Sequence, residues 1–181
     1  MTQNQQIPQY IEQGFRWIRE TIALIYAHHR HPLPMVALIF MYAETLGKPL
    51  VASEKDQTTK AKVCAFIKDY LPKLWAAFEW NKEREKILGD YYRNGLVHQM
   101  FMKNAGIHED KLGDTQYVSQ NINDIPYSIN IDRLVPEFLE GISIYYRKLE
   151  TDNEFLKTFD TELRKAPDKG SSRRGTAEVH S

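Results

Sequence analysis

Apolar residues fall on the chain in helical steps. Ile11, Phe15, Ile18, Ile22 and Ile25 recur at alternating four- and three-residue intervals, one stripe of an amphipathic helix opened by Pro8. The run "HHRHPLP" closes it, since prolines and a histidine cluster do not continue a helix. After Pro34, "MVALIFMYAETLGKP" is apolar nearly all round, which predicts the most buried helix, stopped at Gly47 and Pro49. Glu44 is its one charge: either a solvated residue in the last turns or a carboxylate beside a site. The polar loop "ASEKDQTTK" leads to a third helix carrying Val63, Phe66, Ile67 and Leu71, ended or kinked at Pro72. A fourth long helix is expected from about Ala76 to Met102, with Leu88, Tyr92, Leu96 and Gln99 down one side.

The pattern changes between Lys103 and Asn130. "NAGIHEDKLGDTQ" reads as loop, and the weak alternation near 117–131 reads as a small β-hairpin. Asp132 is the expected cap of a helix with the stripe Leu134, Phe138, Ile142, Tyr145 and Leu149, and Pro136 falls near its first turn. Thr151 to Glu154 reads as a capping box for a last short helix through about Leu163. These stripes need one another for cover. The expected fold is therefore all-α: a helical bundle of four long helices plus one or two C-terminal helices, with a minor hairpin. One domain over 8–165 is expected between a flexible 1–7 and a disordered tail at 166–181, with no internal repeat.

Composition narrows the function classes. The 181 residues carry 24 basic and 24 acidic side chains, so no global basic footprint marks a nucleic-acid binder, although a local site is compatible with this balance. The single cysteine, Cys64, excludes an internal disulfide and CxxC metal motifs. Its apolar neighbours favour a small buried hydrophobe over a nucleophile. The start "MTQNQQIPQY" lacks the basic and apolar parts of a secretory leader, and "MVALIFMYA" is far below the roughly 20 residues of a membrane span. A cytoplasmic location with no membrane is expected.

Candidate chemistry concentrates in "DYYRNGLVHQMF", residues 90–101. Arg93 offers a fixed cation and a bidentate fork suited to phosphate. His98 can exchange a proton near neutral pH. Asn94 can orient the imidazole or hold a phosphate oxygen. On a regular α-helix Arg93 and His98 would lie about 140° apart, whereas Asn94 and His98 share a face. A bend at Gly95 or a second subunit would have to complete the site. Arginine plus histidine without a metal suits attack of a ribose 2′-hydroxyl on the adjacent phosphate. The plainer reading is a polar seam in which Arg93 pairs with Asp90.

"RNGLVH" at 93–98 resembles the motif of the HEPN superfamily, an arginine and a histidine separated by four to six residues, with a polar residue after the arginine. The helical setting and the preceding "YY" resemble it too. The resemblance implies a helical bundle and a homodimer whose two motifs meet in an interface cleft. It implies RNA as substrate, no cofactor, metal-independent cleavage to a 2′,3′-cyclic phosphate, and Arg93, Asn94 and His98 as catalytic residues. Toxin–antitoxin or other defence settings, with an antitoxin or other protein partner, are common in the family. Other members are non-catalytic modules that bind a nucleotide, an RNA or a protein.

Elsewhere the signals are weaker. His28, His29 and His31 could ligate a metal, but no cysteine or carboxylate stands near them in sequence, and a solvated turn is favoured. His108 and His180 have no local partners. "NKEREK" at 81–86 reads as a solvated helix face, and Arg173 and Arg174 as a basic end.

Overall fold

A computed structural model describes residues 6–28, 32–79, 81–95, 105–109, 116–122 and 125–165. The chain is mostly helical with one small sheet. Helix α1 spans Gln9–His28 and α2 spans Pro32–Gly47. A 3₁₀ turn at Pro49–Val51 leads to α3, Thr59–Tyr70, and Pro72 starts the separate α4, Pro72–Ala77. Thr58 caps α3 by accepting from the amide of Ala61.

The long fourth helix expected from Ala76 does not form as one element. The chain turns at 78–79 and again at 82–83, then makes the single α-turn α5, Arg84–Lys86, which runs into a π-helix, Ile87–Asn94. Asn81 explains the break. Its side-chain oxygen accepts from the amide of Glu83 at 2.8 Å, and its Nδ2 donates to the hydroxyl of Tyr127 at 2.9 Å. Such local bonds compete with a helix. The charged run is not a uniformly solvated face either, because the Arg84 guanidinium lies 3.6 Å from the centre of the Trp75 ring.

The sheet is larger than expected. Strands β1 (Ala105–His108), β2 (Val118–Ile122) and β3 (Ile125–Asn130) lie in the order β1-β3-β2. β2 and β3 form the expected antiparallel pair, and Ser119 faces Ser128 in the ladder. β1 replaces part of the expected loop and runs parallel to β3, Ile107 opposite Ile129. Helices α6, Ile131–Thr151, and α7, Asn153–Arg164, complete the described fold. Their caps differ from expectation by one or two residues. Asn130 accepts from the amides of Asp132 and Arg133, and Asp152 accepts from Phe155. Asp132 instead accepts from the Tyr26 hydroxyl at 2.7 Å.

The core joins all the long helices. Ile11, Phe15 and Ile22 of α1 pack with Phe40 of α2, Phe66 of α3 and Phe138, Ile142 and Tyr145 of α6. The ring centres of Tyr70 and Tyr145 are 4.9 Å apart, and the Tyr145 hydroxyl donates to the Leu46 carbonyl near the end of α2. α2 supplies seven buried residues, yet Leu33 and Met41 are exposed, so it is not covered all round. Gly47 lets α2 approach α3: a Cβ there would stand 1.9 Å from the Lys62 carbonyl oxygen. No helix among the described residues is long and apolar enough to cross a membrane.

Candidate functional site

The π-helix sets the geometry of the motif. Its hydrogen bonds close over five residues rather than four. At its end the Gly95 amide donates to the carbonyl of Asp90, and also to that of Tyr92. The segment is pinned on two sides. The buried Tyr92 hydroxyl donates to the carbonyls of Gly106 in β1, at 3.0 Å, and Tyr127 in β3, at 3.3 Å. Its ring stacks on Phe40 of α2 with centres 5.5 Å apart. On the other side, Gly89 admits Lys60 of α3 so closely that a Cβ would lie 2.5 Å from the Lys60 Cγ.

These contacts bring α2, α3 and the π-helix together at Arg93. Its Nε donates to Glu44 Oε2 at 2.7 Å, and its Nη2 donates to the same oxygen. The other carboxylate oxygen, Oε1, accepts from the Thr59 hydroxyl at 3.2 Å. Nη1 of Arg93 donates to Asn94 Oδ1 at 3.3 Å, and the Asn94 amide donates to Asp90 at 3.4 Å. Only 12% of the Arg93 side chain and 18% of the Glu44 side chain are exposed. An ion pair with so little water around it holds its geometry better than a surface pair. The guanidinium plane is thereby fixed, with Asn94 against its Nη1.

Arg93 and Asn94 lie on a helix as their sequence setting predicts, but Asp90 is not the acidic partner of Arg93. Arg93 is paired with Glu44, 49 residues away, while Asp90 holds Asn94. Of the two readings of Glu44, the structure supports the carboxylate beside the motif. Thr59 gave no signal in the sequence. His98 lies outside the described residues, so its juxtaposition with Arg93 and Asn94 does too.

The remaining candidates divide. Cys64 is buried, and burial first, then the Glu85 carboxylate, pushes its thiol up to about 12, which suits a packing residue. His28 is exposed at the end of α1, and His29, His31, His180, Arg173 and Arg174 lie outside the described residues. His108 has partners invisible in sequence: its Nδ1 lies 2.9 Å from Ser128 Oγ and its Nε2 lies 3.4 Å from Ser119 Oγ, tying the three strands together. A groove of about 780 Å³ between α1 and α6, lined by Phe15, Arg16, Arg19, Tyr146 and Arg147 among others, contains no motif residue.

Family models, curated proteins and solved structures were compared with the chain, and none matches. The Arg93 network therefore stands on its own geometry. Chemically it is an oriented cation with an amide beside it, whose two-donor edge is filled by the Glu44 carboxylate; an oxyanion such as a phosphate oxygen would compete for the same edge.

Proposed function

We propose that the chain is a HEPN-type, metal-independent endoribonuclease acting as a homodimer in the cytoplasm. The observation that supports this best is the setting of Arg93: a guanidinium oriented by Glu44, beside Asn94, on a helix whose hydrogen-bond period is five residues. In the reaction the ribose 2′-oxygen bonds to phosphorus while the bond to the 5′-oxygen breaks. The 2′-hydroxyl loses its proton to a base, and the leaving oxygen gains one. His98 serves proton transfer or substrate positioning, Arg93 stabilises charge on the phosphate, and Asn94 holds the geometry. The product is a 2′,3′-cyclic phosphate. A second copy of the chain brings the other half of the cleft, and an antitoxin or other defence partner would restrain it.

The test is cleavage of RNA by the purified protein in EDTA. Cleavage abolished by His98→Ala, with the melting transition retained, supports the reading. Intact RNA with the wild-type dimer, or normal cleavage by His98→Ala, sinks it. A second reading draws on the same ion pair. Because Glu44 neutralises Arg93, the site suits a non-catalytic module that binds a nucleotide, an RNA or a protein partner. Binding without turnover, weakened by Arg93→Ala, would select it.

A further inference from the structure

We propose that Glu44 is an intramolecular competitor for phosphate at Arg93, a latch that keeps the site closed to weakly bound anions. The inference rests on the reading of Arg93 as a phosphate contact and adds a regulation of that contact. The Nε and Nη2 groups form one edge of the guanidinium fork, the edge that grips a phosphate through two parallel bonds. Glu44 Oε2 sits in this fork, receiving both donors. A phosphate oxygen and Glu44 Oε2 cannot share it, and two anions side by side repel.

The carboxylate is held on its far side as well. Thr59, the first residue of α3, donates to Oε1 at 3.2 Å and so anchors Glu44 in place. Gly47, one turn beyond Glu44, gives the close α2–α3 approach that makes this reach practicable. The carboxylate in the Arg93 fork is therefore held by two helices packed on the motif, Glu44 on α2 and Thr59 on α3. A single free phosphate gains too little from one arginine to displace Glu44. A polyanion that also contacts neighbouring groups can do so, and the latch thus selects phosphodiester chains over free phosphate.

The experiment measures the affinity of the full chain for inorganic phosphate, read from the shift of the Arg93 Nε–H signal in ¹H–¹⁵N spectra and by calorimetry. Glu44→Gln keeps the shape of the side chain and removes its charge. It should bind phosphate about tenfold tighter than wild type, since an opposing charge at contact distance is removed. Thr59→Val, which releases the anchor and leaves the charge, should tighten binding in the same direction by about threefold. Adding Arg93→Ala to Glu44→Gln should abolish the gain. Equal or weaker phosphate binding by Glu44→Gln overturns the latch, as does a gain that survives Arg93→Ala. If Glu44→Gln fails to fold, Thr59→Val alone decides: no tightening overturns the proposal. RNA cleavage is scored separately. Its absence in every variant, with the phosphate gains intact, removes the nuclease reading and leaves the latch standing.

Discussion

Glu137 should be among the most stability-sensitive polar residues of the chain. It lies on α6, is 5% exposed, and accepts from the amides of Lys73 at 2.6 Å and Leu74 at 3.2 Å. The reason lies in α4. That helix has Leu71 at its N-cap, which offers no side-chain acceptor, and Pro72 at its first position, which has no N–H. The next two amides, part-buried at Lys73 and buried at Leu74, would otherwise be unpaired. Glu137, more than sixty residues on, supplies the cap that the local sequence lacks. Each hydrogen bond to a charged group is worth about 1.5–3 kcal/mol, and a buried amide left without a partner costs about 1–3 kcal/mol. Glu137→Leu keeps apolar bulk and loses both bonds, so about 3–5 kcal/mol is expected. Glu137→Gln keeps one acceptor and turns an NH₂ toward the other amide, for about 2–3 kcal/mol. In a domain of this size 1 kcal/mol moves the melting temperature by about 2–4 °C, so Glu137→Leu should lower it by roughly 10 °C. Urea unfolding followed by circular dichroism measures both variants. A loss under about 0.5 kcal/mol for Glu137→Leu, with an unchanged m-value, would refute the cap.

Two further outcomes follow from packing and burial. Gly47→Ala places a methyl group against the Lys62 carbonyl, and lifting α2 off α3 should cost about 1–3 kcal/mol, seen as a melting temperature several degrees lower; an unchanged melt would mean the helices do not approach as described. Cys64 should be inert to a thiol reagent at pH 8 in the native state and react once urea unfolds the chain. Its thiol rises from the ordinary 9.0 to about 12 on folding, so between those values the folded chain retains a proton that the unfolded chain has lost. Stability should therefore fall as pH rises through that window. Tyr70, also raised to about 12, by burial first and then by Asp69 and Asp152, adds to the same slope. Rapid stoichiometric labelling of native Cys64 would contradict its burial.

The helices were legible where periodicity is carried by many residues at once. Five apolar positions at helical steps set α1, and five more set α6, so no single misreading could hide either element. What escaped the sequence was decided by single side chains or by distant partners. The break before α5 turns on the side-chain bonds of Asn81, and asparagine within "EWNKE" carries no signal strong enough to overrule a helical stripe. Strand β1 is only four residues long and pairs in parallel with β3, so its stabilising partner lies some twenty residues away and leaves no alternation of its own. The caps slipped by one or two residues because Asn130 and Asp132, like Thr151 and Asp152, are neighbours of equal capping chemistry, and only backbone geometry chooses between them.

The site follows the same logic one level up. The sequence nominated Arg93 by type and Glu44 by isolation, since a lone charge on an apolar helix must find a partner or reach water. It could not join them. That pairing depends on Gly47 closing α2 on α3, on Gly89 admitting Lys60, and on Tyr92 tying the π-helix to the sheet. None of these leaves a periodic trace. The helix type mattered as well. On a regular α-helix Arg93 and His98 fall on different faces, but the segment Ile87–Asn94 that carries Arg93 is bonded i→i+5. The wider turn of a π-helix brings side chains five residues apart closer in angle than an α-helix does, and this wider winding runs through Arg93 as far as Asn94.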